Sequence, residues 1–308
     1  MMEMKKNTAD LQKEIWVYNR QQKKMEQEKV LGDSLLRWAY ESKLGAFFRM
    51  PLFGTAFFSR ILGCYANSCI SKKRIKKVIR ELEIEMSDVV KSVDQFRCFN
   101  DFFTRKLKPE SRPYSTQKDV LISPAECRIL VYPALSEDRC IPVKGMSFTL
   151  GELLGEQGKK YVDRFKNGSL AIFRLCPIDY HRYHFPDSGS FLEEWKIKGK
   201  YHSVNPIALA QKIKVFTENV RQVSMLELQN FGLCAYVSVG AFGVGSIIST
   251  QSTGDFQRKD EKGMFAFGGS TLVLIFEPGK LTFSKDILEK SAQQTECLVK
   301  IGETIASR

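Results

Sequence analysis

Ser270 follows Gly268 and Gly269 and precedes Thr271, so its hydroxyl lies one peptide bond from the Gly269 carbonyl. Tandem glycines let a backbone take bends closed to other residues and leave that carbonyl open to attack. The apolar run Leu272–Phe276 behind the serine has strand character and would hold it still. The stretch reads as a self-processing site. Taken alone it also describes a Gly-Gly-Ser turn between two strands, so the reading depends on whether the chain supplies the partners such chemistry needs.

Three histidines are present, and two of them, His181 and His184, fall within Asp179-Tyr180-His181-Arg182-Tyr183-His184-Phe185-Pro186. Histidine changes protonation near neutral pH, which suits it to accept a proton in one step and return it in another. An isolated histidine is more often structural; two in four residues is a concentration. In a strand, residues three apart point to opposite faces, whereas a turn could direct both to one pocket, so spacing leaves their roles open. A carboxylate, Glu126, follows a proline-set turn in Ser123-Pro124-Ala125-Glu126-Cys127. Beside an imidazole, a carboxylate fixes the tautomer and stabilises the imidazolium; composition favours reading Glu126 as an exposed turn residue. The glycine-rich stretch Val237–Ser246 lacks both the strand–GxGxxG–helix order and a Walker lysine, and is not a nucleotide loop.

The elements that must position these groups follow from patterning. Strand-type runs recur at 120–122, 129–132, 169–175, 235–239 and 271–276, separated by Gly, Pro and Asp turn signals, and favour an antiparallel β core. Leu150–Leu154 and Pro206–Gln211 read as short helical insertions. Residues 1–30 are polar and read as a mobile lead-in or surface segment. From Ser34 to Ile70 the chain is rich in Phe, Leu and Trp, with Arg37, Lys43, Arg49 and Arg60 interspersed. That pattern suits helices lying in a membrane interface, and equally a buried helical subdomain. Next comes Lys72-Lys73-Arg74-Ile75-Lys76-Lys77-Val78-Ile79-Arg80, whose cations would sit close to an anionic surface. The expected fold is α+β: a helical, basic, membrane-associating region over 1–95, then a mainly antiparallel β catalytic domain over 96–308.

With 308 residues, 43% of them hydrophobic, the chain can bury a substantial core, and a formal charge of +12 points to a polyanionic partner, lipid or nucleic acid. No base-stacking aromatics interleave the basic run, which argues against nucleic acid. Eight cysteines include no CxxC pair and offer no zinc ligand set or disulfide framework. No apolar run is long enough to span a bilayer, and Glu3, Asp10 and Glu14 among the first lysines argue against a secretory signal or mitochondrial presequence.

From Phe99 onward the chain resembles phosphatidylserine decarboxylase proenzymes. The marks, in order, are Phe99-Asn100-Asp101-Phe102-Phe103-Thr104-Arg105-Lys106-Leu107-Lys108-Pro109 with Arg112-Pro113, Ser123-Pro124-Ala125-Glu126, Val143-Lys144-Gly145, and Leu153-Leu154-Gly155. After the histidine stretch come Ser203-Val204-Asn205-Pro206, Asn219-Val220-Arg221, Val239-Gly240-Ala241, Lys262-Gly263 and Gly268-Gly269-Ser270-Thr271.

The resemblance implies a chain that cuts itself between Gly269 and Ser270 and turns Ser270 into a covalent pyruvoyl group, the cofactor. It implies His184 as the base that activates the serine, Glu126 as the acid that orients that base, and His181 as the histidine of decarboxylation. The pyruvoyl carbonyl would take up the amine of phosphatidylserine and accept the electrons released with CO₂, giving phosphatidylethanolamine. Its partners would be the anionic membrane lipid and, as a heterodimer, the two fragments of the same chain, with higher oligomers open. Its place would be peripheral, on the cytoplasmic side of the cell membrane; no metal is implied.

One departure stands out. The family's acid position is normally aspartate in a Ser-Pro-Ala-Asp-Gly setting, and this chain has Glu126 followed by Cys127. Glutamate keeps the charge and adds a methylene, and about 1 Å of misplacement can cost on the order of a hundredfold in rate. The alternative is therefore a non-processing, phosphatidylserine-binding relative inactivated at Glu126. A Ser/His/Glu hydrolase ranks below both, because no nucleophile elbow surrounds Ser270.

Overall fold

A computed structural model describes residues 15–28, 56–135, 140–143, 146–203, 214–241, 247–267 and 270–308. The expected helix at Pro206–Gln211, the apolar stretch up to residue 55 and the Gly268–Gly269 pair lie outside these residues. The first nine strands are β1 (Trp16–Asn19), β2 (Lys24–Gln27), β3 (Val120–Ile122), β4 (Cys127–Tyr132), β5 (Cys140–Val143), β6 (Met146–Thr149), β7 (Ser169–Leu175), β8 (Arg182–His184) and β9 (Gly189–Ile197). The remainder are β10 (Arg221–Leu228), β11 (Gly232–Gly240), β12 (Ile247–Ser249), β13 (Asp255–Phe256), β14 (Glu261–Phe265), β15 (Ser270–Phe276), β16 (Thr282–Phe283), β17 (Cys297–Val299) and β18 (Thr304–Ser307).

Ten of them form one sheet in the order β13-β9-β10-β11-β15-β7-β4-β17-β1-β2, antiparallel throughout except for the parallel pair β1 and β17. The architecture is α+β and mostly antiparallel. Four of the five strand-type runs in the sequence fall in this sheet and the fifth is β3. The hairpin β1–β2 corrects the reading of the lead-in: Trp16–Gln27 extends the sheet, and Glu28 just beyond it pairs with Arg174 of β7 at 2.6 Å. Polar composition misled there because an edge hairpin has little to bury.

β15 reads as an unbroken apolar run because the sheet is covered on both faces. Leu272, Leu274 and Phe276 enter one cluster with Leu121, Tyr183, Phe265 and Ile287, contributed by the smaller sheets and the helix Lys285–Ala292. Val273 and Ile275 enter the other, against Leu150, Leu153 and Leu154 of the helix Leu150–Gly158. Burying each such side chain stabilises the fold by roughly 1.5–3 kcal/mol. A capping box opens that helix: Thr149 Oγ1 accepts the Glu152 N–H at 3.1 Å, and the Glu152 carboxylate accepts the Thr149 N–H at 2.8 Å.

A third cluster joins the helical region to the sheet. Ile75, Val78 and Leu82 bury one stripe of the helix Ile75–Leu82 against Phe96, Phe99, Phe102 and Phe103, while Lys76, Lys77 and Arg80 face outward. The short helix Phe99–Phe103 lies where sequence patterning suggests strands and turns; three of its five residues are buried phenylalanines, so packing sets its conformation. Ile178 and Phe267 pack against the same cluster, which brings it to the chain just before Ser270.

Candidate active site

Ser270 is the first residue of β15, fully buried, paired with Leu175 of β7 on one side and Gly240 of β11 on the other. Its backbone is therefore fixed by two neighbouring strands in the middle of the sheet. Its Oγ lies 3.4 Å from Nδ1 of His181. The other ring nitrogen, Nε2, is 2.9 Å from the Cys176 carbonyl oxygen. A carbonyl oxygen only accepts, so Nε2 carries the proton and Nδ1 presents its lone pair to the serine hydroxyl.

His181 is completely buried and stacks on Phe103, with ring centroids 3.9 Å apart and planes 22° apart. Burial, reinforced by the nearby Arg105 cation, pushes its pKa down to about 3, so the ring is neutral at physiological pH. The loop that presents it is cinched. Asp179 accepts the Cys176 N–H at 2.6 Å and is held by Arg128, while Arg105 Nη2 donates to the carbonyls of Ile178 and Asp179 at 2.9 and 3.2 Å.

His184 ends β8 and faces a different set of partners. Its Nδ1 donates to the Lys259 carbonyl at 2.8 Å, and its Nε2 is buried with no hydrogen-bond partner among the described residues. Burial lowers its pKa as well, so it too is a neutral imidazole with a bare lone pair. Glu126 is bound by Arg112, which also holds Asp88 at 2.6 Å. Among the described residues, then, Ser270 and His181 come into direct contact, while His184 and Glu126 are each tied to other groups. Of the remaining sequence features, Cys127 is buried at the start of β4 in extended conformation, where the freedom of a glycine is not required.

The comparisons with known proteins fit this geometry. The phosphatidylserine decarboxylase family model matches residues 99–307. A phosphatidylserine decarboxylase proenzyme from Clostridium tetani is 43% identical over 295 residues, covering 96% of this chain and 98% of its own. Those of Clostridium novyi and Clostridium beijerinckii are 42% and 41% identical, covering 96% of this chain and 99% of theirs. The chain belongs to the phosphatidylserine decarboxylase family.

Within this family member, residues that sequence reasoning did not single out position His184 and the chain before Ser270. Asn100 accepts the Phe267 N–H on its Oδ1 at 2.9 Å, and Phe99 and Phe103 meet the Phe267 ring edge to face at 4.9 and 5.2 Å. These hold the chain three residues ahead of Ser270. Lys259 carries the carbonyl that fixes His184; its φ of 71° is a left-handed conformation costly for a side chain with a Cβ, and its Nζ donates to the Arg112 carbonyl. Asn100, Phe99, Phe103 and Arg105 all lie in the Phe99–Pro109 stretch, so that motif was the available signal; Lys259 had none. Among the described residues no group of His, Cys, Asp or Glu could hold a metal ion, and seven cysteines are free thiols.

Proposed function

We propose that this chain is a phosphatidylserine decarboxylase that cuts itself between Gly269 and Ser270 and decarboxylates phosphatidylserine to phosphatidylethanolamine. The observation that carries the reading is Ser270 itself: a buried hydroxyl at the head of a central strand, 3.4 Å from the free lone pair of a neutral histidine. The residues fit a pyruvoyl group at that position, because whatever Ser270 becomes remains fixed between β7 and β11 beside His181. Such a group supplies a carbonyl that takes up an amine and accepts electrons as CO₂ leaves.

His181 lies against the atoms that become the reactive group, which supports it as the residue that exchanges a proton there during decarboxylation. His184 is the proposed base of the cut: the Lys259 carbonyl fixes its tautomer and leaves Nε2 as an unused acceptor. Glu126 is held by Arg112, and the His184 Nδ1–H that an orienting acid would accept is taken by the Lys259 carbonyl. A second reading, favoured by the Oγ–Nδ1 contact, gives His181 the serine proton as well. After the cut, β15 stays paired with β7 and β11, β17 with β4 and β1, and β18 with β3, so strand pairing holds fragments 1–269 and 270–308 together as a heterodimer.

Peripheral attachment to the cytoplasmic face of the cell membrane is supported by the helical region. Ile61 and Tyr65 on the helix Ala56–Asn67 and Ile70 just beyond it are 52%, 37% and 65% exposed, beside Lys72, Lys73, Lys76, Lys77 and Arg80. No helix among the described residues is long and apolar enough to cross a membrane.

Denaturing gels with intact-mass analysis, followed by phosphatidylethanolamine release from phosphatidylserine vesicles, test the function. Two fragments, 1–269 and a blocked 270–308, are expected, with His184→Ala uncut and His181→Ala cut but inactive. An intact, inactive wild-type chain would overturn the proposal. Normal cleavage in His184→Ala with none in His181→Ala would move the serine proton to His181.

A further inference from the structure

Lys259 stands third in the turn 257–260, which is closed by the Asp260 N–H on the Gln257 carbonyl at 3.0 Å. Its φ of 71° is left-handed, the conformation for which such a turn position favours glycine. The turn is fastened to the chain beside His184: the Lys259 N–H donates to the Phe185 carbonyl at 2.9 Å, and the Phe185 N–H to the Asp260 carbonyl at 3.0 Å. A Cβ costs stability at that position, so the side chain is the feature to account for. Its Nζ donates to the Arg112 carbonyl and stands 4.8 Å from the centre of the Tyr114 ring.

We propose that Lys259 is a positioning residue for self-cleavage, its carbonyl orienting His184 and its ammonium anchoring that carbonyl to the segment that holds Glu126. This role rests on His184 as the base of the cut. Glu126 is bound by the Arg112 guanidinium, the Arg112 carbonyl takes the Lys259 ammonium, and the Lys259 carbonyl takes Nδ1–H of His184 at 2.8 Å. The carboxylate therefore reaches the imidazole through Arg112 and Lys259. His184 is also fixed from the side of the acid, since its backbone N–H donates to the Pro124 carbonyl at 2.9 Å. When Nε2 accepts the serine proton, Nδ1–H stays on the Lys259 carbonyl, which holds the ring plane and stabilises the imidazolium as a dipole. The ammonium has a second effect: a cation near the ring disfavours a further positive charge there, so the base stays unprotonated to lower pH. Around the same ring, Glu261 of β14 acts the opposite way, Arg182 of β8 acts with Lys259 and pairs with Glu261 at 2.8 Å, and Tyr180 stacks with centroids 6.0 Å apart.

The test follows cleavage of the full-length chain, made by cell-free synthesis, on denaturing gels across pH, with stability measured by denaturant melts on the uncut Ser270→Ala background. Lys259→Gly is expected to be at least as stable as its parent, because glycine adopts positive φ without strain, and yet to cut about tenfold more slowly. Lys259→Met should be equally slow, with the acid limb of its rate profile moved to higher pH. Lys259→Arg, which keeps the cation and a donor, should cut within about threefold of wild type with the limb in place. Wild-type rates and limbs in Lys259→Gly and Lys259→Met overturn the proposal. So does slowing that tracks a fall in stability with the limb unmoved, the mark of a merely structural residue, and so does a Lys259→Arg chain no faster than Lys259→Met. His184→Ala separates the two levels. Normal cutting in that variant defeats His184 as the base, whereas cutting lost there and unchanged in the Lys259 variants defeats the role of Lys259 alone.

Discussion

Nδ1 of His181 faces Oγ of Ser270 because Nε2 of the same ring is spent on the Cys176 carbonyl. That one hydrogen bond fixes the tautomer, and the tautomer decides that a lone pair rather than a proton meets the serine. The Cys176 carbonyl is itself held by the turn in which Asp179 caps the Cys176 N–H and Arg105 and Arg128 pin the loop. The contact therefore depends on a buried charged scaffold that does not itself touch the serine.

His181 makes folding stability pH-dependent. Its folded pKa is about 3, against about 6.5 in an unfolded chain, so below pH 6.5 the unfolded state binds the extra proton. The contribution is complete above pH 6.5 and is lost as pH falls toward 3, at up to about 1.4 kcal/mol per pH unit. His184, also lowered, adds in the same direction. Denaturant melts at pH 7.5 and pH 5 should show lower stability at pH 5, with a smaller difference in His181→Gln. An unchanged difference in that variant would mean His181 is charged in the folded protein.

Glu126 should matter through its charge more than its length. Glu126→Gln removes the charged partner of Arg112, and the amide cannot orient an imidazolium; self-cleavage should slow at least about tenfold on a time-course gel. Glu126→Asp, which keeps the charge, should cut at a rate within a few-fold of wild type. Cleavage at the wild-type rate in Glu126→Gln would remove the residue from the processing step.

The order of legibility follows the physics. The β15 run was readable because a continuous β-rich apolar stretch is a local signal, whereas Ser270 drew its meaning from the motifs around it, since Gly-Gly-Ser alone also describes a turn. The strand runs at 169–175 and 120–122 match β7 and β3 residue for residue, since burial on both faces leaves apolar runs, interrupted in β7 only by Ser169 and the ion-paired Arg174. β9 and β10 were not foreseen: their mixed text, Gly189–Ile197 and Arg221–Leu228, carries polar and charged residues whose partners are distant in sequence, as Ser224 Oγ donating to Glu194 at 2.6 Å and Arg221 donating to the Leu153 carbonyl at 2.7 Å. Nor could spacing divide the roles of His181 and His184. Their difference lies in two carbonyls, Cys176 and Lys259, and a backbone oxygen has no letter in the sequence.

The basic surface should bind bilayers by charge. Replacing Lys72, Lys73, Lys76 and Lys77 with Gln removes side chains each contributing roughly 1 kcal/mol near an anionic surface. Pelleting with phosphatidylserine-containing vesicles at about 0.1 M salt should fall at least tenfold, and wild-type binding should weaken as salt rises. Equal loss on neutral vesicles would assign the region to apolar contact through Ile61, Tyr65 and Ile70 instead.

Asn100 couples the helical region to the chain beside the proposed cut. Its Nδ2 donates to Asn67 Oδ1 at 2.9 Å, at the end of the helix Ala56–Asn67, and its Oδ1 accepts the Phe267 N–H at 2.9 Å. Asn100→Ala strips the acceptor from Phe267 and should cost roughly 0.5–1.5 kcal/mol of stability, since the site is half-buried. Its larger effect is on alignment: Ser270 is fixed by strand pairing, so any drift of the preceding residues moves the Gly269 carbonyl relative to the hydroxyl, and cleavage should slow on the order of tenfold. Asn100→Asp keeps the acceptor and loses the bond to Asn67, and should retain most of the rate. Matching loss in both variants would trace the effect to the Asn67 contact, and wild-type cleavage in both would show that the register of Phe267 does not set the geometry of attack.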